Sequence, residues 1–419
     1  MPLFSTLFII MILLATMTHL WLSSRQIKHV QQHRQHTPPA FAEKISLDEH
    51  QKAADYTIAK EKLGNIELVF GTILLLIWTL GGGLEFVDQY IRGFQLSPLY
   101  AGVAFILLIG FISSIIDTPI SLYNTFVLEE KFGFNRTTFK TWLIDLVKQT
   151  LLGLLIGIPL IMTILWLMNS AGKYWWFYAW AVWMGFSFLM LWAYPAFIAP
   201  LFNKFSQLEN QSLKQRIEQL MTRCGFISKG ILVMDGSKRS SHGNAYFTGL
   251  GNNKQIVFFD NLLDSLDDEE VEAVLAHELG HFKKKHIVKR LIATTIISLI
   301  GFAVLGYLMQ QDWFYHGLGM SHTSIYAALV LFSIASPVFT FFLSPISAKI
   351  SRKHEFEADD FAAQQADAQK LVDALVKLYK DNANTLTPDP LHSAYYDSHP
   401  PAPVRIEHLL ASSTSNKRT

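Results

Sequence analysis

The sequence predicts an all-α multi-span membrane protein of seven transmembrane helices, and three observations carry that prediction. Half of the 419 residues are apolar and only 16% are charged, a composition that a soluble core cannot absorb and a bilayer requires. Seven stretches approach or exceed the roughly 20 apolar residues that a helix needs to cross the hydrocarbon layer. Between them, lysine and arginine fall on alternate connections, the asymmetry expected when basic loops stay in the cytoplasm.

In chain order the spans are residues 2–23, 66–83, 99–116, 150–169, 174–203, 291–311 and 325–348. The first has no basic leader and no small-residue cleavage site before Arg25, so it reads as an anchor rather than a signal peptide. The second is the weakest and ends in the glycines Gly81, Gly82 and Gly83. Pro195 and Pro200 are expected to break the fifth near one membrane face. The connections 24–65 and 117–149 are basic (Arg25 to Lys62, and Lys131, Arg136, Lys140, Lys148) and read as cytoplasmic loops. Those after the second, fourth and sixth spans carry Arg92, Lys173 and no cation. The N-terminus then lies outside. The chain divides into a membrane domain 1–203, a cytoplasmic region 204–290, two further spans in 291–348 and a cytoplasmic C-terminal region 349–419.

Several classes are disfavoured. Basic and acidic residues balance at 35 and 34, so no nucleic acid partner is implied. A single cysteine, Cys224, rules out intramolecular disulfides and cysteine zinc clusters. Spans poor in ionisable groups argue against a pump or ion-coupled transporter.

The chemistry lies in the fifth-to-sixth connection. "LDDEEVEAVLAHELGHFKKKH" reads as one helix, with acids in its first turn and Lys283 to Lys285 in its last, both favourable to the macrodipole. His277 and His281 stand at i and i+4, so one turn stacks their imidazoles on a common face where both reach one divalent cation. Glu278 projects beside them. This is the HExxH pattern of zinc peptidases, in which the glutamate takes a proton from the attacking water and returns it to the leaving amine. A hydrolytic zinc site needs a third protein ligand. After the seventh span comes "SRKHEFEADDFAAQQ", with Glu355 and Asp359 at i and i+4. Glu355 can complete a two-histidine, one-glutamate set, and Asp359 can orient a ligand histidine from behind. His354 would point away from Glu355.

These segments, with "YNTFVLEEKFGFNRTT", "FIAPLFNKF", "KRSSHGNAYFTGLGNNKQIVFFDNLL" and "YYDSHPPAPVRIEHL", resemble the type I CAAX prenyl proteases, integral membrane zinc endopeptidases of the gluzincin type. The resemblance spans nearly the whole chain. It implies one zinc per chain with Glu355 as third ligand. It also implies a zincin-like catalytic region facing the cytoplasm, and cleavage of the C-terminal tripeptide after a prenylated cysteine.

Residues 230–260 read as a strand followed by a hairpin around Gly251, Asn252 and Asn253. Such a sheet offers an edge to which an extended peptide can add, and the resemblance points to Asn244, Ala245 and Tyr246 for that role. The prolines of "DSHPPAPVR" imply a loop. The resemblance puts His399 and Arg405 at the catalytic centre: His399 as donor to the developing oxyanion, Arg405 as partner of a carboxylate or as a clamp on the loop. His242, His286 and His392 receive no role. The expected partners are a peptide or lipidated peptide and the lipid bilayer. A bacterial inner membrane is favoured over the endoplasmic reticulum, since "STSNKRT" resembles no retrieval signal. The alternatives are a general quality-control metalloprotease and a non-catalytic metal-bound membrane scaffold.

Overall fold

The computed structural model describes residues 2–228, 230–248 and 255–416. The glycine–asparagine turn expected at 251–253 lies outside them. Two hydrophobic cores organise the chain. One lies among the apolar helices and draws in Phe8, Phe105, Leu165, Ala179, Leu305, Phe314 and Leu331. The other lies beyond them and is built by Leu220, Ile256, Phe258, Leu275, Leu279, Ala374 and Leu409.

Among the described residues, six helical segments are long and apolar enough to cross a membrane: Leu3–His33, Pro98–Phe132, Phe139–Ser170, Gly172–Phe202, His286–Leu308 and Ile325–Gln365. Their large outward side chains, among them Leu14, Phe111, Leu155 and Ile297, are exposed, as a lipid-facing surface requires. The second predicted span is instead a bent pair, α2 (Leu47–Trp78) and α3 (Gly83–Arg92), meeting at 47°. The glycines cause the bend. Gly82 takes φ +78°, and a Cβ on Gly81 or Gly83 would lie within 2.9 Å of the Ile77 backbone, so only glycine lets the chain fold back on the preceding turn.

Both basic connections prove to be mostly helical. α1 (Leu3–His33) runs ten residues past its predicted span, and α2 starts at Leu47, where Ser46 and Glu49 form a capping box. α4 (Pro98–Tyr123) continues through a π-helical stretch, Asn124–Glu129, to Phe132, and α5 (Phe139–Ser170) begins behind the Thr138 cap. The apolar stretches thus lie inside longer helices, whose ends are set by caps. Pro195 and Pro200 do not break the fifth span. α6 (Trp175–Ala193) widens into a π-turn, Tyr194–Ile198, and goes on to Phe202. A wider turn relieves the clash of the proline ring with the preceding turn without ending the helix.

A four-stranded mixed sheet follows: β1 (Phe205–Gln207), β2 (Gly230–Met234), β3 (Ala245–Thr248) and β4 (Gln255–Phe259), in the order β1-β2-β4-β3. β2 and β4 are parallel; β3 pairs antiparallel with β4 and forms one edge. Helix α7 (Gln211–Cys224) buries Leu213, Ile217, Leu220, Met221 and Cys224, one helical stripe, in the second core. α8 (Asp268–Lys283) is capped by Asp267, whose carboxylate accepts from the Glu269 and Glu270 amides. It is one turn shorter than predicted: Lys285 takes φ +57° and α9 (His286–Leu308) starts afresh.

α10 (Ile325–Thr340) passes through a single 3₁₀ turn into α11 (Ser344–Gln365), so one long segment runs from the apolar core to the second core. α12 (Ala368–Asp381), α13 (Pro390–Tyr396) and α14 (Ala402–Asn416) complete the chain. The proline-rich loop is shorter than its sequence implies. α14 begins directly after Pro401, and Pro403 sits in its first turn, where a missing N–H costs nothing.

Candidate metal centre and its cleft

α8 crosses α11 at Gly280 and Ala358, the two small residues of the HELGH and EFEAD segments. A Cβ at Gly280 would stand 2.9 Å from the Ala358 Cα, so any larger residue would push α11 away, and Glu355 with it. The crossing sets three donors face to face. His277 Nε2 lies 3.2 Å from His281 Nε2 and 3.4 Å from Glu355 Oε2, and His281 Nε2 lies 3.3 Å from Glu355 Oε1. Metal–nitrogen bonds of about 2.0–2.1 Å in a tetrahedron imply ligand separations of roughly 3.3–3.4 Å, so these distances match the edges of a tetrahedral site. Among the described residues this is the only such group of His, Cys, Asp or Glu.

Two further observations fit a cation here. Glu355 Oε2 is buried without a hydrogen-bond partner among the described residues, and a buried carboxylate oxygen left without a donor is costly unless something positive satisfies it. Burial and the Arg405 charge push the His277 pKa down, but hydrogen bonds to Asp359 and Glu355 and the Asp359 charge outweigh them and carry it to about 9. A pocket that favours a proton on this ring favours a cation in its place.

Asp359 lies 2.8 Å from His277 Nδ1 and is fully buried. By accepting from Nδ1–H it leaves the Nε2 lone pair facing the pocket. Arg405, also buried, closes a bidentate pair with Asp359 at 2.8 and 2.5 Å and approaches Glu355 Oε2 at 3.7 Å. It enters from the first turn of α14, whose Ala402 amide donates to Tyr379 Oη at 3.0 Å. His399 Nε2 lies 3.4 Å from Glu355 Oε1 with its ring exposed. Arg352 of α11 holds that loop by donating to the Asp397, Ser393 and Ala394 carbonyls, so one helix carries Glu355 and fixes His399.

Glu278 is half-buried and takes no hydrogen bond or ion pair from the described residues. It lines a cavity of about 300 Å³ together with His277, Asn244, Ala245, His399 and Arg405. Asn244, Ala245, His277, Glu278, His399 and Arg405 thus line one cleft, and His281, Glu355 and Asp359 adjoin it through His277; Tyr246 is the exception. The Tyr246 side chain faces the opposite side of the sheet, toward Pro195 and Lys204, because neighbouring strand residues alternate. The approach to β3 is braced by α5 and the connection before it: Arg239 pairs bidentately with Asp145 of α5 at 2.7 and 3.0 Å, and His242 stacks on Phe134 of that connection at 4.5 Å.

His286 has no role in the sequence reading, yet it touches the centre. It is buried, and its Nδ1 lies 3.0 Å from His281 Nδ1. On the single unbroken helix expected from the sequence it would point well away from His281; the turn at Lys285 brings it back. The Lys–Lys–Lys run gives no sign of that turn.

Fold and site together define an integral, multi-pass membrane metalloprotease. Two family models match in tandem, "CAAX prenyl protease N-terminal, five membrane helices" over residues 26–204 and "Peptidase family M48" over residues 207–413. CAAX prenyl protease 1 of Saccharomyces cerevisiae is 34% identical over 402 residues, covering 89% of this chain and 88% of the yeast protein. The CAAX prenyl protease 1 homolog of Homo sapiens is 30% identical over 462 residues, covering 98% and 96%. The crystal structure of S. mikatae Ste24p matches with a TM-score of 0.91 at 31% identity, covering 98% of this chain and 100% of that one. The chain belongs to the CAAX prenyl protease branch of peptidase family M48, a family whose members use a catalytic metal.

Proposed function

We propose that the protein is a zinc endopeptidase that removes the C-terminal tripeptide following a prenylated cysteine, with His277, His281 and Glu355 holding one zinc and Glu278 serving as general base and then acid. The observation that carries this reading is the tetrahedral spacing of the three donors beside Glu278, which has no partner among the described residues and opens on a cleft. Bound zinc would supply a Lewis acid and lower the pKa of water. Glu278 takes the water's proton and delivers it to the departing amine. His399, at the rim, donates to the oxygen that gains charge. Asp359 and Arg405 act through the ligands, Asp359 by fixing the His277 tautomer and Arg405 by pairing with the buried Asp359 carboxylate and placing positive charge near Glu355.

The peptide adds to β3. Phe259 N–H donates to the Asn244 carbonyl, so Asn244 and Tyr246 turn their main chains toward β4, and Ala245 and Phe247 turn theirs to the free edge. Ala245 N–H is capped by Asn244 Oδ1 at 2.8 Å; when substrate pairs with Ala245 the Asn244 amide becomes free to bind it as well.

In the same reading the bent pair α2–α3 counts as one span, which gives seven, with the membrane domain, metal-bearing region, paired spans and C-terminal region divided at residues 203, 290 and 348. The basic connections lie in the cytoplasm and with them the cleft. That side is the same in a bacterial inner membrane and in the endoplasmic reticulum.

The test is mass spectrometry of products from a farnesylated CAAX peptide and its unprenylated twin, with Glu278→Gln as blank. Cleavage after the prenyl-cysteine, much faster with the lipid, is expected. Equal cleavage of both peptides, or cuts elsewhere, would favour a general membrane quality-control protease.

A further inference from the structure

We infer that His286 and Glu357 form a second positioning relay behind the metal centre, acting on His281 as Asp359 acts on His277. His281 presents Nε2 to Glu355 and His277. A lone pair at Nε2 puts its proton on Nδ1, which must find an acceptor. The atom within reach is His286 Nδ1, at 3.0 Å. His286 then carries its own proton on Nε2, and that atom lies 2.9 Å from Glu357 Oε2. One arrangement, with both imidazoles neutral and Glu357 a carboxylate, satisfies every group: Glu357 accepts from His286, and His286 accepts from His281. The relay is built rather than incidental. His286 is 5% exposed and stacks on His354 at 4.0 Å with the planes 12° apart, which fixes its ring, and the turn at Lys285 aims it. Glu357 sits two residues beyond Glu355 on α11, so the helix that offers a ligand also supports the ligand opposite.

This inference rests on His281 being a ligand, and the experiment separates the two. Zinc release from the purified full-length chain in detergent is followed with a chromogenic chelator, with thermal unfolding measured in parallel. His286→Phe keeps the stacked ring and removes the acceptor; His286→Asn keeps an acceptor near the Nδ1 position and removes the ring. The relay predicts zinc release about tenfold faster in His286→Phe, the low end of what loss of an orienting partner costs, and near the parent rate in His286→Asn. Unchanged release in His286→Phe, or equal acceleration in both variants, would overturn it, the second result marking a packing role only. His281→Ala is the control for the underlying assignment: it should abolish stoichiometric zinc, and full occupancy there would refute the ligand set itself.

Discussion

Glu278→Gln is expected to bind zinc as the parent does and to lose about two or more orders of magnitude in turnover, the usual consequence of removing a general base. The structure makes this a clean substitution. The Glu278 carboxylate takes no hydrogen bond or ion pair from the described residues, so the isosteric amide breaks nothing in the fold, and it is not one of the three clustered donors. Binding and chemistry should therefore separate, with peptide affinity and metal content kept and kcat lost. Retention of activity within about tenfold of the parent would remove Glu278 from the proton transfer.

The second large effect is expected at Asp359. Its carboxylate is fully buried and serves Arg405 and His277 at once. In Asp359→Ala the Arg405 guanidinium would remain buried with Glu355 at 3.7 Å as its nearest counter-charge, and breaking a buried pair from one side costs about 3–5 kcal/mol. A marked fall in the thermal midpoint should accompany weaker zinc binding, about 10- to 100-fold from loss of the His277 orienter. A double variant, Asp359→Leu with Arg405→Leu, distinguishes the two contributions. It removes both charges, so stability should recover substantially while zinc affinity stays low. Recovery of both would show that Asp359 serves only the fold, and recovery of neither would deny that the pair is the source of the instability.

Much of this centre is legible in the sequence because helical spacing is local. HELGH puts His277 and His281 on one face whatever surrounds them, and the Glu355–Asp359 interval does the same on the facing helix; the resemblance to the CAAX prenyl proteases joins the two. What escaped the sequence depends on where helices stop. His286 is not legible as part of the centre, since a helix continued through the basic run after HELGH would turn it away from His281, whereas one left-handed residue, Lys285, redirects the chain. The loop that the prolines of DSHPPAPVR imply stops at Pro401, and Arg405 lies in the first turn of a helix, because proline is tolerated there. The basic connections looked like loops and are helical extensions, because polar helix beyond the lipid leaves no hydrophobic periodicity of membrane-spanning length. The alternating directions of β3 were predictable in principle, and they take the Tyr246 side chain off the cleft while leaving main-chain groups of Ala245 and Phe247 at its edge.

If one metal is held jointly by α8 and α11, elemental analysis of zinc per chain in Glu355→Ala will reveal it. The parent and Glu278→Gln should each retain one zinc after dialysis against a mild chelator, and Glu355→Ala should retain almost none, since two imidazoles on one helix turn hold zinc far less tightly than three protein ligands. A full equivalent of zinc in Glu355→Ala would contradict the ligand set and, with it, the geometry assigned to the reaction.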